Sequence, residues 1–367
     1  MFRYSVASKA PRSRAAMRRT IIAIIAHQVD DILRRCKKIT EKIMRVLVIG
    51  DPHFKENNPS ESEEMSEKIC LIALKEKPDL IVCLGDVLDR HEKISLFALR
   101  RATLFLEKLS LIAKTYVLIG NHDRPNNSTY LTDEHPFLAY KHWGQRLVIV
   151  DNVLQEGELL FVPYVPPGRF LETLQGVKEW QKSRVIFAHQ EFSGARMGAI
   201  TSSVEKWPEE APFVISGHIH DYQRVQDNLI YVGTPIQHAF NDNQNKTISL
   251  FALGEDVFPK ETRIDLECKK KKVLHLKVAD LETFVLPQNV ILKLVIEGEK
   301  EELRLLQSAP LIKELKNQGV KVHFKPLEKK EKFVYNRETS FYSTLQEMVK
   351  DDELQVKWMK KILEDIS

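Results

Sequence analysis

Five short apolar runs in this chain each end in a side chain able to bind a metal or move a proton. That repetition restricts the fold to one that carries strand ends to a common place. The runs are Val46-Leu-Val-Ile49, Leu80-Ile-Val-Cys-Leu84, Tyr116-Val-Leu-Ile119, Val185-Ile-Phe-Ala188 and Phe213-Val-Ile-Ser216. In the same order they precede Asp51-Pro-His53, Gly85-Asp-Val-Leu-Asp89, Gly120-Asn-His-Asp123, His189 and Gly217-His-Ile-His220. Apolar runs of this length, rich in β-formers, read as buried strands. In layered α/β proteins, sites are built at the ends of such strands.

The collected groups are imidazoles, carboxylates and an amide, with no thiol among them. Asp51 and His53 are two apart, so an extended segment puts them on one face. His218 and His220 repeat the spacing, and Gly217 is expected to permit the tight backbone that turns both rings inward. With Asp86, Asn121 and His189 there are seven candidate ligands. That is too many for one tetrahedral ion and suits two ions sharing a carboxylate, with Asp86 as the natural bridge. Paired ions clamp the attacking and leaving oxygens of a displacement at phosphorus. Mixed oxygen and imidazole donors suit manganese, iron or zinc better than calcium or magnesium.

The ordered series Asp-x-His, Gly-Asp-x-x-Asp, Gly-Asn-His-Asp, His and Gly-His-x-His resembles the calcineurin-like metallophosphoesterase superfamily over roughly residues 44 to 252. Downstream, Tyr231-Val-Gly-Thr-Pro-Ile-Gln-His-Ala-Phe240 resembles the Gly-Ser-Pro-Ile-x-x-x-Phe segment of SbcD-type double-strand-break repair nucleases. His189-Gln-Glu-Phe-Ser-Gly194 is similar to the matching strand end of their phage recombination counterparts. The resemblance implies an α/β fold, a metallophosphoesterase β-sandwich flanked by helices in αββα layers, with a small α/β capping domain. It implies that Asp51, His53, Asp86 and His220 hold one ion, and that Asp86, Asn121, His189 and His218 hold the other. His122 would be the acid that protonates the leaving oxygen. Two divalent ions are implied, manganese first. This chain has Asp89 where archaeal and eukaryotic relatives of SbcD carry His, as bacterial SbcD does.

Blander roles compete. A lone His beside an apolar strand is more often a packing residue than a ligand, and only the ordered series lifts His189 out of that class. Asp89 and Asp123 read as helix caps, with some orienting of the ligands or of His122 from behind. Arg90 after Asp89 is similar to the Asp-Arg pair of Ser/Thr protein phosphatases, but its context favours an exposed, ion-pairing Arg. His91, His135, His142, His238, His275 and His323 have no comparable context and read as surface or packing residues.

At 367 residues the chain has room for one large domain and a small one. The expected organisation is a basic extension over 1–43, a dimetal phosphoesterase domain over 44–285, and a capping domain with partner-docking helices over 286–367. The formal charge of +4 is uneven: residues 1–43 hold eleven Lys/Arg against three Asp/Glu, and the rest holds 44 against 48. Any grip on DNA must therefore come from local patches. Cys36, Cys70, Cys83 and Cys268 show no paired spacing, as expected of reduced thiols in a cytoplasmic or nuclear setting. The Arg- and Ser-rich start has the composition of an organellar transit peptide, but a nucleic-acid-binding arm or an inconsequential tail is favoured over targeting. Its apolar stretch is too short to span a membrane, so no membrane association is expected. Residues 28–43 present a possible helix.

Helices are expected over Glu61 to Lys75 and Ser95 to Leu111. The second is apolar on more than one face, which fits either a sandwiched helix or the homodimer surface of SbcD-like nucleases. Glu261 to Leu266 and Val273 to Val278 read as strands either side of a solvated turn, Lys269–Lys272. Beyond Leu286 a βαβ pattern follows, with strands over Val290 to Ile296 and Val320 to Phe324 around a helix from Lys300 to Asn317. Amphipathic helices over Ser340 to Ile366 either fold back or dock a partner, which the resemblance names as an SbcC-like coiled-coil ATPase. Three function classes are carried forward: a two-metal nuclease of a DNA repair or recombination complex, with exo- or endonuclease action, a small-molecule phosphodiesterase or phosphatase, and an inactive scaffold. The complete ligand set ranks the scaffold last.

Overall fold

The computed structural model describes residues 43–327 apart from 92 and 143, and residues 345–364 apart from 346. The extension over 1–42, with its possible helix, and residues 328–344 lie outside the described residues. Contacts divide the chain into two compact units. One takes in the chain to Leu274 with Val285–Leu294 and Gln318–Lys321; the other takes in His275–Phe284, Val295–Asn317 and Val322 onward.

The first unit is built on two six-stranded sheets. Across the first the order is Lys260–Ile264, Ile248–Leu253, Met44–Ile49, Leu80–Cys83, Lys114–Leu118 and Leu147–Val150. Across the second it is Gln223–Gln226, Leu229–Tyr231, Phe213–Gly217, Val185–His189, Leu159–Val162 and Leu154–Glu156. All five apolar runs are strands, and those adjacent within each sheet pair in parallel. Alternation along each strand sorts its side chains into layers. Val46 and Val48 face a core shared with Phe161, Phe187 and Ile215 of the other sheet. Leu47 and Ile49 face the helical layer with Met65, Ile69 and Phe105. Leu160, Ile186 and Val214 of the second sheet face Phe170, Phe192 and Trp207. A one-residue slip would exchange these sets, at about 1.5–3 kcal/mol for each large apolar side chain exposed.

The two outer layers are unequal. Helices Pro59–Glu76 and Leu96–Ile112 cover the first sheet. The second is covered by the short helix Phe170–Gln175 and by loop residues around Trp207. Helix Pro59–Glu76 begins with Pro near its first position, carries Glu61 in its first turn, and stops at Lys77 in the left-handed conformation. Its buried stripe is Ser62, Met65, Ser66, Ile69 and Ala73. Helix Leu96–Ile112 buries Ala98, Ala102, Phe105, Leu106 and Leu109 while Leu96, Phe97 and Leu111 stand exposed.

The expected lysine turn is not a solvated hairpin. Lys260–Ile264 edges the first sheet, whereas Lys270–Lys277 joins a separate three-stranded sheet with Val290–Gly298 and Lys321–Pro326. Lys271 is buried: its ammonium pairs with Glu61 and donates to the carbonyl of Gln237 at 3.0 Å. The helix expected over Lys300 to Asn317 is two, Lys300–Leu306 and Pro310–Asn317, because Pro310 cannot continue a preceding turn. Near the end of the chain, Glu353–Glu364 is helical. Among the described residues no helix is long and apolar enough to cross a membrane.

Candidate metal centre

The loops after the strands are tied to one another before any side chain is considered. His53 N donates to the Asp86 carbonyl at 3.0 Å and Phe54 N to that of Val87 at 2.8 Å. Behind Asp86, the Asp123 carboxylate accepts from Val87 N (3.2 Å), Leu88 N (2.9 Å) and Gly120 N (3.1 Å). Asp123 thus pins two ligand-bearing turns together and does not cap a helix. His53, Asp86 and His218 all have positive φ, at 44°, 47° and 76°. Such backbone is costly for residues with a Cβ and is held only where the surroundings dictate it. At Gly217 the need is close approach, since a Cβ there would lie 2.5 Å from Asp51 Oδ1. The left-handed conformation beside it belongs to His218.

The seven expected ligands converge. Ligand atoms of Asp51, His53 and His220 lie within 4.8 Å of one another, and so do those of Asp86, His189 and His218. Asn121 Oδ1 is 3.0 Å from His189 Nε2 and 2.9 Å from His218 Nδ1. Asp86 stands between the groups, with Oδ1 3.3 Å from His189 Nε2 and Oδ2 3.8 Å from His53 Nε2. His53 and His220 face each other through their Nε2 atoms at 3.1 Å. His189 is oriented from behind by Nδ1, which donates to the Leu84 carbonyl at 2.8 Å and turns Nε2 toward Asn121 and Asp86.

The electrostatics fit a cation at each group. Burial lowers the His218 imidazole to about 3, and it also depresses His53 and His220. Those rings are neutral, the form that binds metal. Burial opposes the charge on Asp86, yet His189 and His53 hold its carboxyl well below the usual range. Burial lifts the Asp51 carboxyl to about 7, and the neighbouring Asp86 charge pushes the same way. For His189, burial is outweighed by the Asp86 and Asp51 carboxylates, which raise it to about 9. Carboxylates and lone pairs aimed into one space, with one His drawn into the role of counter-charge, are what a divalent ion would satisfy.

His122 sits beside both groups. Its backbone N donates to Asp86 Oδ1 at 2.8 Å, its Nδ1 donates to the Asp89 carbonyl at 2.8 Å, and its Nε2 is 4.0 Å from Asp86 Oδ2. Its side chain is 34% exposed, the openness a proton donor to substrate requires. The Asp89 side chain pairs with Lys55 at 2.9 Å and lies 3.6 Å from His53 Nδ1.

Sequence reasoning missed several neighbours. His238 is not a bystander: its ring is 4.9 Å from that of His53, and its Nε2 donates to the Asp51 carbonyl at 3.1 Å. Its membership of the Tyr231–Phe240 segment was the available signal. His91 stacks on His122 with centroids 4.8 Å apart. Tyr164 lies 6.2 Å from His189 and 6.0 Å from His218. Buried Lys246 donates to the His220 carbonyl at 2.7 Å. His135 is a packing residue on Asp151, as expected. Arg90 is exposed, but among the described residues no acidic partner pairs with it.

Comparison with known proteins follows the same line. Residues 44–222 match the family model of calcineurin-like phosphoesterase. The chain is similar to "Putative phosphoesterase 078R" of Invertebrate iridescent virus 3, 39% identical over 78% of this chain and 85% of that protein. It is also similar to "Putative phosphoesterase 244L" of Invertebrate iridescent virus 6, 37% identical over 73% and 99%. Among solved structures, Pseudomonas putida nuclease MPE aligns with a TM-score of 0.30 and 13% identity over 59% of this chain and 87% of that one, too distant a likeness to bear on substrate. On the family match and the identity to the two viral proteins, the chain belongs to the calcineurin-like phosphoesterases, hydrolases that work with divalent metal ions.

Proposed function

We propose that this phosphoesterase is a manganese-dependent nuclease, cleaving phosphodiester bonds of DNA with two metal ions. The observation that carries the reading is Asp86, one carboxylate placed between two donor groups with His122 beside it. Asp51, His53, Asp86 and His220 would hold one ion; Asp86, Asn121, His189 and His218 would hold the other. When bound, such a pair neutralises the phosphoryl oxygens and acidifies a water for in-line attack.

The chain's own residues do the rest. With Nδ1 of His122 donating to a carbonyl, Nε2 is the nitrogen that carries the mobile proton toward the departing sugar oxygen. Asp89 stands behind His53 and Asp123 behind Asp86, keeping both in place. A DNA substrate is favoured over a small diester by the Tyr231–Phe240 segment, which resembles that of SbcD-type nucleases and sends His238 into the site.

A homodimer is proposed through the exposed Leu71, Leu74, Leu96, Phe97 and Leu111 of the two long helices. An SbcC-like ATPase is the proposed partner of the helix Glu353–Glu364, whose Leu354, Trp358 and Ile362 stand exposed at helical spacing. The deciding experiment sets linear duplex DNA against bis-p-nitrophenyl phosphate, with manganese. Cleavage of both is expected. Hydrolysis of the small diester alone would make the protein a small-molecule phosphodiesterase, and hydrolysis of neither, with metal bound, would make it a scaffold.

A further inference from the structure

Arg90, His91, Lys93, Pro125, Asn126 and Asn127 line a shallow cleft of about 500 Å³ beside the acid. We propose that this cleft is the leaving-side subsite, and that Arg90 and Lys93 hold the phosphate next beyond the scissile bond. The inference rests on the nuclease reading and gives it a direction.

Its first support is position. His91, one wall of the cleft, lies nearly parallel to His122, with centroids 4.8 Å and planes 15° apart. His91 is held in turn by Nδ1, which donates to the Arg124 carbonyl at 3.2 Å. A general acid faces the oxygen that departs. Whatever remains attached to that oxygen must therefore run past His122, and His91 is the next surface it meets.

Charge is the second support. Among the described residues no carboxylate lines the cleft. Arg90 and Lys93 are exposed, and among the described residues neither has an acidic partner. A neighbouring cleft of about 490 Å³ shares Arg90 and Lys93, but it also contains Glu56 and Asp89, and its Lys55 is held by Asp89 at 2.9 Å. Among the described residues, the positive charge without a carboxylate beside it lies on the His91 side. The two asparagines use their side-chain oxygens inward: Asn126 Oδ1 accepts from Ser128 N and Thr129 N at 2.9 Å, and Asn127 Oδ1 from Asn121 Nδ2 at 3.4 Å, so each turns its amide N–H groups elsewhere. The charged donors for an incoming anion are a guanidinium fork and an ammonium, a combination suited to a phosphodiester oxygen pair. A substrate whose leaving group is a bare alcohol would leave both unused.

The test uses thymidylyl-thymidine, with and without a terminal phosphate at its 3′ or its 5′ end, and the full-length protein with saturating manganese. A phosphate on the leaving nucleoside should raise kcat/KM about tenfold, and the end at which it does so identifies the leaving oxygen. The gain should disappear in the double variant Arg90→Ala, Lys93→Ala, and it should shrink as salt rises. Metal content and melting temperature of the variant serve as the folding control. No gain from either phosphate, or a gain that survives the double substitution, overturns the subsite. If the unmodified protein cleaves bis-p-nitrophenyl phosphate but neither dinucleotide nor longer DNA, the nuclease reading fails first and takes this inference with it.

Discussion

Asp123→Asn tests whether the centre is held from behind. Asp123 is 1% exposed and accepts three backbone hydrogen bonds, from Val87, Leu88 and Gly120. An asparagine of the same shape can turn its carbonyl toward Val87 N and Gly120 N, which share Oδ2 in the native protein. Its amide then confronts Leu88 N, donor against donor, and one buried N–H is left unmet. That costs about 1–3 kcal/mol. Burial raises the Asp123 carboxyl to about 7, with the Asp86 charge adding to the effect, so removing the charge returns part of the loss. A net destabilisation near 2 kcal/mol corresponds to a melting temperature lower by roughly 4–8 °C for a domain of this kind. The same N–H bonds hold the turn in which Asp86 adopts φ 47°. Metal affinity should therefore fall about 10–100-fold, the usual effect of losing a group behind a ligand. Calorimetric melting in chelator gives the first quantity, and manganese titration gives the second. A variant that melts with the native protein and binds manganese undiminished would refute Asp123 as the anchor of these turns.

Asp86→Ala should empty both ion sites and abolish hydrolysis, measured by elemental analysis beside activity; two retained ions would remove Asp86 as the bridge. His122→Ala should keep both ions while slowing hydrolysis of DNA about 10²–10⁴-fold. It should spare p-nitrophenyl esters far more, because that leaving group departs without a proton; equal losses on both would deny His122 the role of acid. Away from the centre, burial works against the charge on Asp151, but hydrogen bonds from His135 and Lys141 hold its carboxyl below the usual range. A depressed carboxyl contributes stability that is whole above the unfolded value, about 3.9, and is lost as pH falls through the folded one. Asp151→Asn should accordingly lower stability at pH 7, and the gap to the native protein should close below about pH 4; a gap constant with pH would contradict the pairing.

Strand identity and the list of groups delivered by each strand were legible in the chain, because a buried parallel strand must be apolar throughout and its end is where polarity returns. Asp51, His53, Asp86, Asn121, His189, His218 and His220 could be named as candidates from those strand ends, and the ordered series with the family it resembles lifted them above blander readings. Layer assignment was legible for the same reason: period two decides that Val46 and Val48 share a face and that Leu47 and Ile49 share the other. What the chain could not disclose depends on which distant segments meet. His91 carries no local mark that separates it from His135, and His238 has only its place in the Tyr231–Phe240 segment, yet they pack on His122 and His53 because loops from different strands close over the same edge. The lysine run looked solvated because charge in a row usually is, and only the approach of Glu61 and Gln237 makes a buried site for Lys271. Positive φ at His53, Asp86 and His218, which an isolated peptide would avoid, is likewise imposed by the folded surroundings. Motif order and spacing determined the inventory of candidate groups; their geometry and their supports were decided by tertiary contacts between residues tens to hundreds of positions apart.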